Sequence, residues 1–178
     1  MPRSSNSARD AGVIVRKATR ADAKAVVDLI IGLAQFERLE PPDPKAKERL
    51  AKDIFDKKLA SVIVASIRGK MVGYALYFYT YSSFLARPTL YLEDIFVNAQ
   101  NRREGVGNAL FMRCVLEAAR NGCGRMEWQV LTWNRKAMRF YEKLGAKRID
   151  DLRLYRLNRD SIRALAGNPS KKRQLEQN

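Results

Sequence analysis

Val13-Ile14-Val15 heads a β-branched run to Lys17 that reads as a short strand. Thr19-Arg20-Ala21-Asp22 then sets a hydroxyl residue three positions ahead of a carboxylate, the pattern of a helix N-terminus. Ala23, Val26, Val27, Ile30, Leu33 and Ala34 follow at helical spacing to about Gln35, which gives one stripe to bury. Pro41-Pro42 interrupts the chain, and Asp43 with Pro44 behind it starts a second helix to about Lys57. From Ser61 to Tyr81 β-branched and aromatic residues take over, broken at Arg68-Gly69-Lys70, so two antiparallel strands joined by a tight turn are expected. Gly73 lies inside the second, where Tyr74, Leu76 and Phe78 alternate with Ala75, Tyr77 and Tyr79 and cover both faces. Thr89 to Val97 reads as another strand, and Asn98-Ala99-Gln100-Asn101 leads into a glycine-bearing loop and a helix from about Gly105 to Asn121. Met126 to Leu131 predicts a strand, Arg135 to Leu144 a short helix ended by Gly145, Leu152 to Leu157 a last strand, and Arg159 to Ala166 a last helix.

A chain of 178 residues can bury one core without disulfides or a structural metal, so the expected organisation is one domain over 13–166 between tails at 1–12 and 167–178. No apolar run approaches the roughly 20 residues of a membrane span, and Met1 to Gly12 lacks the apolar stretch of a secretory signal. Two cysteines, Cys114 and Cys123, are too few for a disulfide framework and fit a reducing, cytoplasmic setting. The absence of histidine narrows the chemistry further: it removes Ser/His/Asp and Cys/His nucleophiles and every histidine-based metal site, so no metal is expected. Acid and base groups must come from Glu, Asp, Tyr, Lys or Cys.

The net charge of +15 attracts polyanions such as nucleic acid or a phosphorylated cofactor. Residues 1–20 hold +4 of it and residues 168–178 hold +2, which leaves +9 on the body. A solvated basic face and a role in anion attraction both account for it.

Arg102-Arg103-Glu104-Gly105-Val106-Gly107, followed by Asn108 and an amphipathic helix, is the strongest local signal. The first N–H groups of a helix have no intrahelical partners, glycine lets a pyrophosphate approach the main chain, and the helix dipole favours its charge. No Gly-Lys-Ser/Thr follows, so this is not a Walker loop.

Arg102, Gly105 and Gly107 resemble the acetyl-CoA signature R-x-x-G-x-G/A of the GNAT acetyltransferases. Asn134-x-x-Ala137-x-x-Phe140-Tyr141-x-Lys143-x-Gly145-Ala146 resembles the second cofactor-side motif of that family. A closer resemblance, from Val13 to Leu157, is to its spermidine/spermine (diamine) acetyltransferase branch. It is carried by Val15-Arg16-Lys17-Ala18-Thr19-Arg20-Ala21-Asp22, by Tyr77-Phe78-Tyr79-Thr80-Tyr81 and above all by Leu90-Tyr91-Leu92-Glu93-Asp94-Ile95-Phe96-Val97. The resemblance implies an α/β acyltransferase fold, a mixed, mostly antiparallel twisted sheet with helices on both faces, splayed so that acetyl-CoA enters between neighbouring strands. It further implies that Glu93 draws the proton from the amine through water, that Tyr141 protonates the departing thiolate, and that the main chain of Ile95, Phe96 and Val97 holds the pantetheine arm. Arg102, Arg103, Glu104, Gly105, Val106, Gly107, Asn108, Asn134, Ala137 and Tyr141 would complete the acetyl-CoA site. A homodimer with the C-terminal strand at its interface is implied as well.

Elementary chemistry asks for such groups independently, because an alkylamine of pKa ~10.4 needs roughly 4.6 kcal/mol to expose its lone pair at pH 7. A carboxylate is a weak base for that task, so Glu93 is expected to be assisted by burial, by Asp94 or by a water chain. Strand alternation puts Glu93 and Asp94 on opposite faces, which makes them separate groups rather than a dyad, and Asp94 either contacts substrate or makes a structural hydrogen bond. Tyr141 follows Ala137 by one helical turn and shares a face with it and Asn134; a core tyrosine would also suit that position.

Two departures bear on substrate. Where the diamine enzymes carry Trp in the last strand, the match here is Leu152, after a shorter loop. The chain also repels a polycation at long range. The expected acceptor is therefore a primary amine on a diamine, a polyamine or a lysine-like amino acid. A protein- or ribosome-directed acetyltransferase and a basic nucleic-acid-associated module are the alternatives.

Overall fold

The computed structural model describes residues 12–167, so the expected tails lie outside the described residues apart from Gly12 and Gly167. The chain forms two compact units, one ending at Gln129 and one starting at Val130.

In the first unit β1 (Val13–Lys17), β2 (Ser61–Ile67), β3 (Lys70–Ser82), β4 (Arg87–Val97) and β5 (Arg125–Trp128) form one sheet in that spatial order. The first four pair antiparallel and β4 with β5 parallel. Between β1 and β2 come α1 (Ala23–Glu37) and α2 (Pro44–Ala51), and α3 (Val106–Arg120) is the crossover that a parallel pair requires.

Local chemistry sets these boundaries. Thr19 donates from its backbone N–H and its hydroxyl to the Asp22 carboxylate at 2.7 and 3.0 Å, and Arg16 grips that carboxylate with two nitrogens at 2.7 and 2.8 Å. Asp43 accepts from the Ala46 N–H at 2.7 Å and caps α2, with Pro44 at the first helical position. The β2–β3 turn is Arg68-Gly69 with φ of 49° and 75°, the pair of positive values that a two-residue hairpin loop needs.

Gly73 and Tyr74, adjacent on β3, present opposite faces of the strand, and each face is covered by a helix. A Cβ on Gly73 would lie 3.2 Å from Leu110 of α3. Tyr74 packs in a cluster with Val26 and Leu29 of α1, Val62 and Val64 of β2, Leu76 and Phe96. Each fully buried side chain of this kind stabilises the fold by roughly 1.5–3 kcal/mol relative to exposure. Glu117 of α3 is also buried, and Lys17 of β1 reaches it at 2.8 Å while Arg113 reaches it at 3.0 Å. Burial pushes this carboxyl up, but the hydrogen bonds from Lys17 and Arg113 outweigh that and leave it below its usual value.

The second unit contains α4 (Arg135–Lys143) and α5 (Arg159–Ala166), capped by Asn134 and Asn158. Three expectations need correction. The second helix changes at Lys52 into a wider π turn that runs to Asp56. The strand expected from Met126 to Leu131 stops at Trp128. The expected last strand, Leu152 to Leu157, is not formed: among the described residues nothing pairs with it, and Leu152, Leu154, Tyr155 and Leu157 are exposed. Alternating apolar residues become a strand only where a neighbouring edge supplies the ladder bonds.

Candidate active site

β4 meets β5 only from Thr89 to Leu92. Beyond Leu92 its outer edge, from Glu93 to Val97, has no paired strand among the described residues, so main-chain groups there can pair with an extended ligand, apart from the Val97 carbonyl, which accepts from Arg102. The pairing of β4 with β5 thus ends where β5 itself ends, at Trp128.

The same point carries a bulge. Leu76 of β3 pairs with Asp94 and Tyr77 with Leu92, which leaves Glu93 as the extra residue of β4. A bulge bends its strand and re-aims side chains, so simple alternation does not by itself fix the faces of Glu93 and Asp94. Glu93 is exposed. Asp94 accepts a hydrogen bond from the Tyr74 hydroxyl at 3.0 Å. Burial pushes the Asp94 carboxyl up to about 6; the Tyr74 hydrogen bond works against this, and the charges of Glu93 and Glu37 add to it. Burial and the charge of Asp94 push the Tyr74 phenol far above its ordinary range. The charges of Glu93 and of Glu37, at the C-terminal end of α1, thus both reach Asp94, an arrangement that attracts an ammonium group.

The loop expected to bind an anion starts where β4 ends. Arg103 has φ 73° and Gly105 φ 78°, so the loop turns twice through the left-handed region before α3 begins at Val106. The first helical bond is from the Ala109 N–H to the Gly105 carbonyl at 3.0 Å, and no side chain among the described residues caps the helix. The N–H groups of Val106, Gly107 and Asn108 thus lie ahead of the helical ladder. A Cβ on Gly107 would meet only Val97 Cγ2, at 3.9 Å, so packing within the unit does not demand glycine there. A ligand approaching the main chain would favour it. Glu104 and Gly105 are half-buried, and Val106 is buried. Ile95 and Val97 are half-buried on the open part of β4, and the Phe96 side chain faces the α1 cluster. Arg102 is held by the protein itself: its Nε donates to the Val97 carbonyl at 3.0 Å and its guanidinium lies 4.5 Å from the Phe36 ring centroid.

In the second unit Asn134 accepts from the Ala137 N–H at 3.2 Å and caps α4, and Tyr141 is buried with its ring 5.1 Å from that of Phe140. Leu152, expected to line the substrate site, is 70% exposed. Cys114 is buried, its thiol pushed by burial up to about 12, which suits filler rather than a nucleophile.

Tyr74, Glu37 and Phe36 were not singled out by sequence reasoning. For Tyr74 the signal was present: a tyrosine on the core face of a central strand needs a partner for its hydroxyl, and Asp94 lies on the neighbouring strand. The contacts of Phe36 and Glu37 depend on where the end of α1 lies, which the sequence does not state.

Compared with known proteins, residues 28–146 match the model of the acetyltransferase (GNAT) family. The chain is 39% identical over 127 residues to an L-ornithine N5-acetyltransferase of Arabidopsis thaliana, a match covering 71% of this chain and 50% of that protein. It thus spans half the length of that relative. With a thialysine N-epsilon-acetyltransferase of Sus scrofa it shares 32% identity over 169 residues, covering 88% of this chain and 99% of the relative. An integron cassette protein from the mobile metagenome of V. cholerae shares the fold at a TM-score of 0.76 with 23% identity, covering 88% of this chain and 98% of that one.

Proposed function

Because the chain belongs to the GNAT acetyltransferase family, we propose that it is an acetyl-CoA-dependent N-acetyltransferase whose acceptor is the side-chain amine of a small diamino acid. The observation that carries this reading is one stretch of main chain in which the open edge of β4, the uncapped start of α3 and the bulged Glu93 beside Asp94 adjoin one another. The names of the relatives, which act on ornithine and on thialysine, support an acceptor that carries its own carboxylate. They do not favour a protein-directed or nucleic-acid-binding role.

Acetyl-CoA supplies the acetyl group as an activated thioester. The N–H groups from Arg103 to Asn108 fit its pyrophosphate, with helix dipole and amides acting together. The main chain of Ile95, Phe96 and Val97 fits the pantetheine arm, as a strand edge fits any extended amide-bearing chain. Asp94 and Glu37 draw the ammonium in. Glu93, open to solvent, takes the proton that the amine must lose, directly or through water, and the new N–C bond forms as the C–S bond breaks. Tyr141 returns a proton to the thiolate, while Asn134 and Ala137 fix the start of its helix. A carboxylate base agrees with the lack of histidine, which leaves Glu, Asp, Tyr, Lys and Cys for that role.

A cytoplasmic homodimer is part of the same reading, supported by the cysteine usage and by the exposed Leu152, Leu154 and Tyr155, which a partner would cover. Thiol release from acetyl-CoA with ornithine as acceptor tests the proposal. Glu93→Gln is expected to keep acetyl-CoA affinity and to lower turnover roughly 10²-fold at neutral pH, with a smaller deficit at high pH where free amine is abundant. A deficit independent of pH would show that Glu93 only positions the amine.

A further inference from the structure

Tyr74 is fully buried on β3 among Val26, Leu29, Val62, Val64, Leu76 and Phe96, and its hydroxyl donates to Asp94 Oδ2 at 3.0 Å. A phenylalanine would fill the same space without needing a partner in an apolar cluster, so packing does not call for the hydroxyl. What the hydroxyl does is aim a carboxylate. Asp94 directly follows Glu93, the extra residue of the bulge, and the register on either side of that bulge is kept by Tyr74 opposite Phe96 and by Tyr77 opposite Leu92.

We propose that Tyr74 is a positioning residue for the acceptor amine: its hydroxyl fixes the Asp94 carboxylate beside Glu93 so that both face one ammonium group, and this arrangement sets the acidic limit of amine capture. The inference rests on the amine-acceptor reading of this site.

The groups around Asp94 support it. Tyr74 faces it from β3, Glu93 stands beside it on β4, and the charge of Glu37 reaches it from the end of α1. Arg102 lies over Phe36 and Phe96 nearby, with its Nε engaged by the Val97 carbonyl. From β2 the cluster receives only apolar Val62 and Val64. An ammonium is drawn by the ionised carboxylate and not by the acid, so capture weakens as pH falls through the Asp94 titration near 6. The Tyr74 hydrogen bond favours the ionised form. With the hydroxyl gone and burial unchanged, the titration moves up by about 0.5–1 pH unit, the equivalent of one modest hydrogen bond.

The experiment uses the full chain, with ornithine as the probe. Ornithine affinity by calorimetry, its KM and kcat by thiol release, and the Asp94 carboxyl by 13C NMR are followed from pH 5 to 8 in the wild type and in Tyr74→Phe, with Asp94→Asn to assign the resonance. The expected result is a midpoint moved up in Tyr74→Phe in both the NMR and the binding titrations, with KM raised at pH 6 and kcat at pH 8 close to wild type. An unmoved Asp94 midpoint, or a loss of affinity equal at every pH, overturns the positioning role. If Tyr74→Phe does not fold, Asp94→Asn decides the matter: loss of the acidic limb of ornithine binding supports the proposal and its persistence overturns it. The NMR titration separates the two readings, because a wild type that releases no thiol with any amine condemns the acetyltransferase reading whether or not Tyr74 controls Asp94.

Discussion

Arg102 turns back from the loop ahead of α3 and donates from Nε to the carbonyl of Val97 at 3.0 Å, which locks the end of β4 to the start of the anion-binding turn. Its guanidinium also lies 4.5 Å from the centroid of Phe36, the residue before Glu37, so one side chain links the loop ahead of α3 to the C-terminal end of α1. Arg102→Ala is therefore expected to weaken acetyl-CoA binding by roughly 30-fold or more, the value of one charge-assisted hydrogen bond and one exposed cation–π contact, about 2 kcal/mol at the least. Arg102→Lys should recover little, since an ammonium lacks the planar fork and the Nε donor. Calorimetric titration of acetyl-CoA checks this, and a lysine variant equal to wild type would mean that only the charge matters.

Two glycines near β4 serve different ends. A Cβ on Gly73 would sit 2.7 Å from the Phe96 carbonyl oxygen, whereas one on Gly107 would meet nothing closer than 3.9 Å. Gly73→Ala is expected to cost about 1–3 kcal/mol of stability through overpacking. Gly107→Ala, near the start of a helix, is expected to leave thermal stability unchanged or raised by up to ~1 kcal/mol while lowering acetyl-CoA affinity. Thermal melts with and without acetyl-CoA separate the two. A Gly107→Ala protein that melts later yet gains full stabilisation from acetyl-CoA would show that the cradle lies elsewhere.

Asp94 also predicts a pH dependence of stability. Its carboxyl titrates near 6 in the folded chain against an ordinary value near 4, so between those limits the folded state binds more protons than the unfolded state. Stability should fall as pH rises from about 4 to 6, by up to roughly 2 kcal/mol, and level off above. Asp22 acts in the opposite sense in a different window. Its carboxyl is held low by the Arg16 guanidinium, so its contribution is present at neutral pH and is lost only as pH falls below the usual carboxylate range. Denaturant melts at pH 4, 5, 6 and 7 on wild type and Asp94→Asn test the slope, which the variant should lack.

Much of the fold could be read from local chemistry. The Thr19–Asp22 turn, the Asp43 cap with Pro44, the Arg68-Gly69 hairpin and the loop ahead of α3 each follow from a few adjacent residues, and each is present. What failed depends on distant partners. Leu152 to Leu157 has the alternation of a strand, but alternation records which faces a strand would bury and not whether an edge is there to pair with. The bulge at Glu93 is likewise invisible in Leu92-Glu93-Asp94-Ile95, because it arises from the mismatch between β3 and β4 around Leu76 and Tyr77. The sequence names a set of candidate groups for the site, while the tie from Tyr74 to Asp94 and the charge of Glu37 at the end of α1 required the packed structure.

The most direct test of the whole account is kcat/KM by thiol release for ornithine and for spermidine, each at low and high salt. The account predicts that ornithine is preferred by roughly tenfold or more, about 1.4 kcal/mol of discrimination. The preference should narrow at high salt, because the basic surface steers the carboxylate of ornithine and repels a polycation over distances that salt screens beyond ~8 Å. A spermidine preference at both salt concentrations, or no thiol release with either amine, would contradict it.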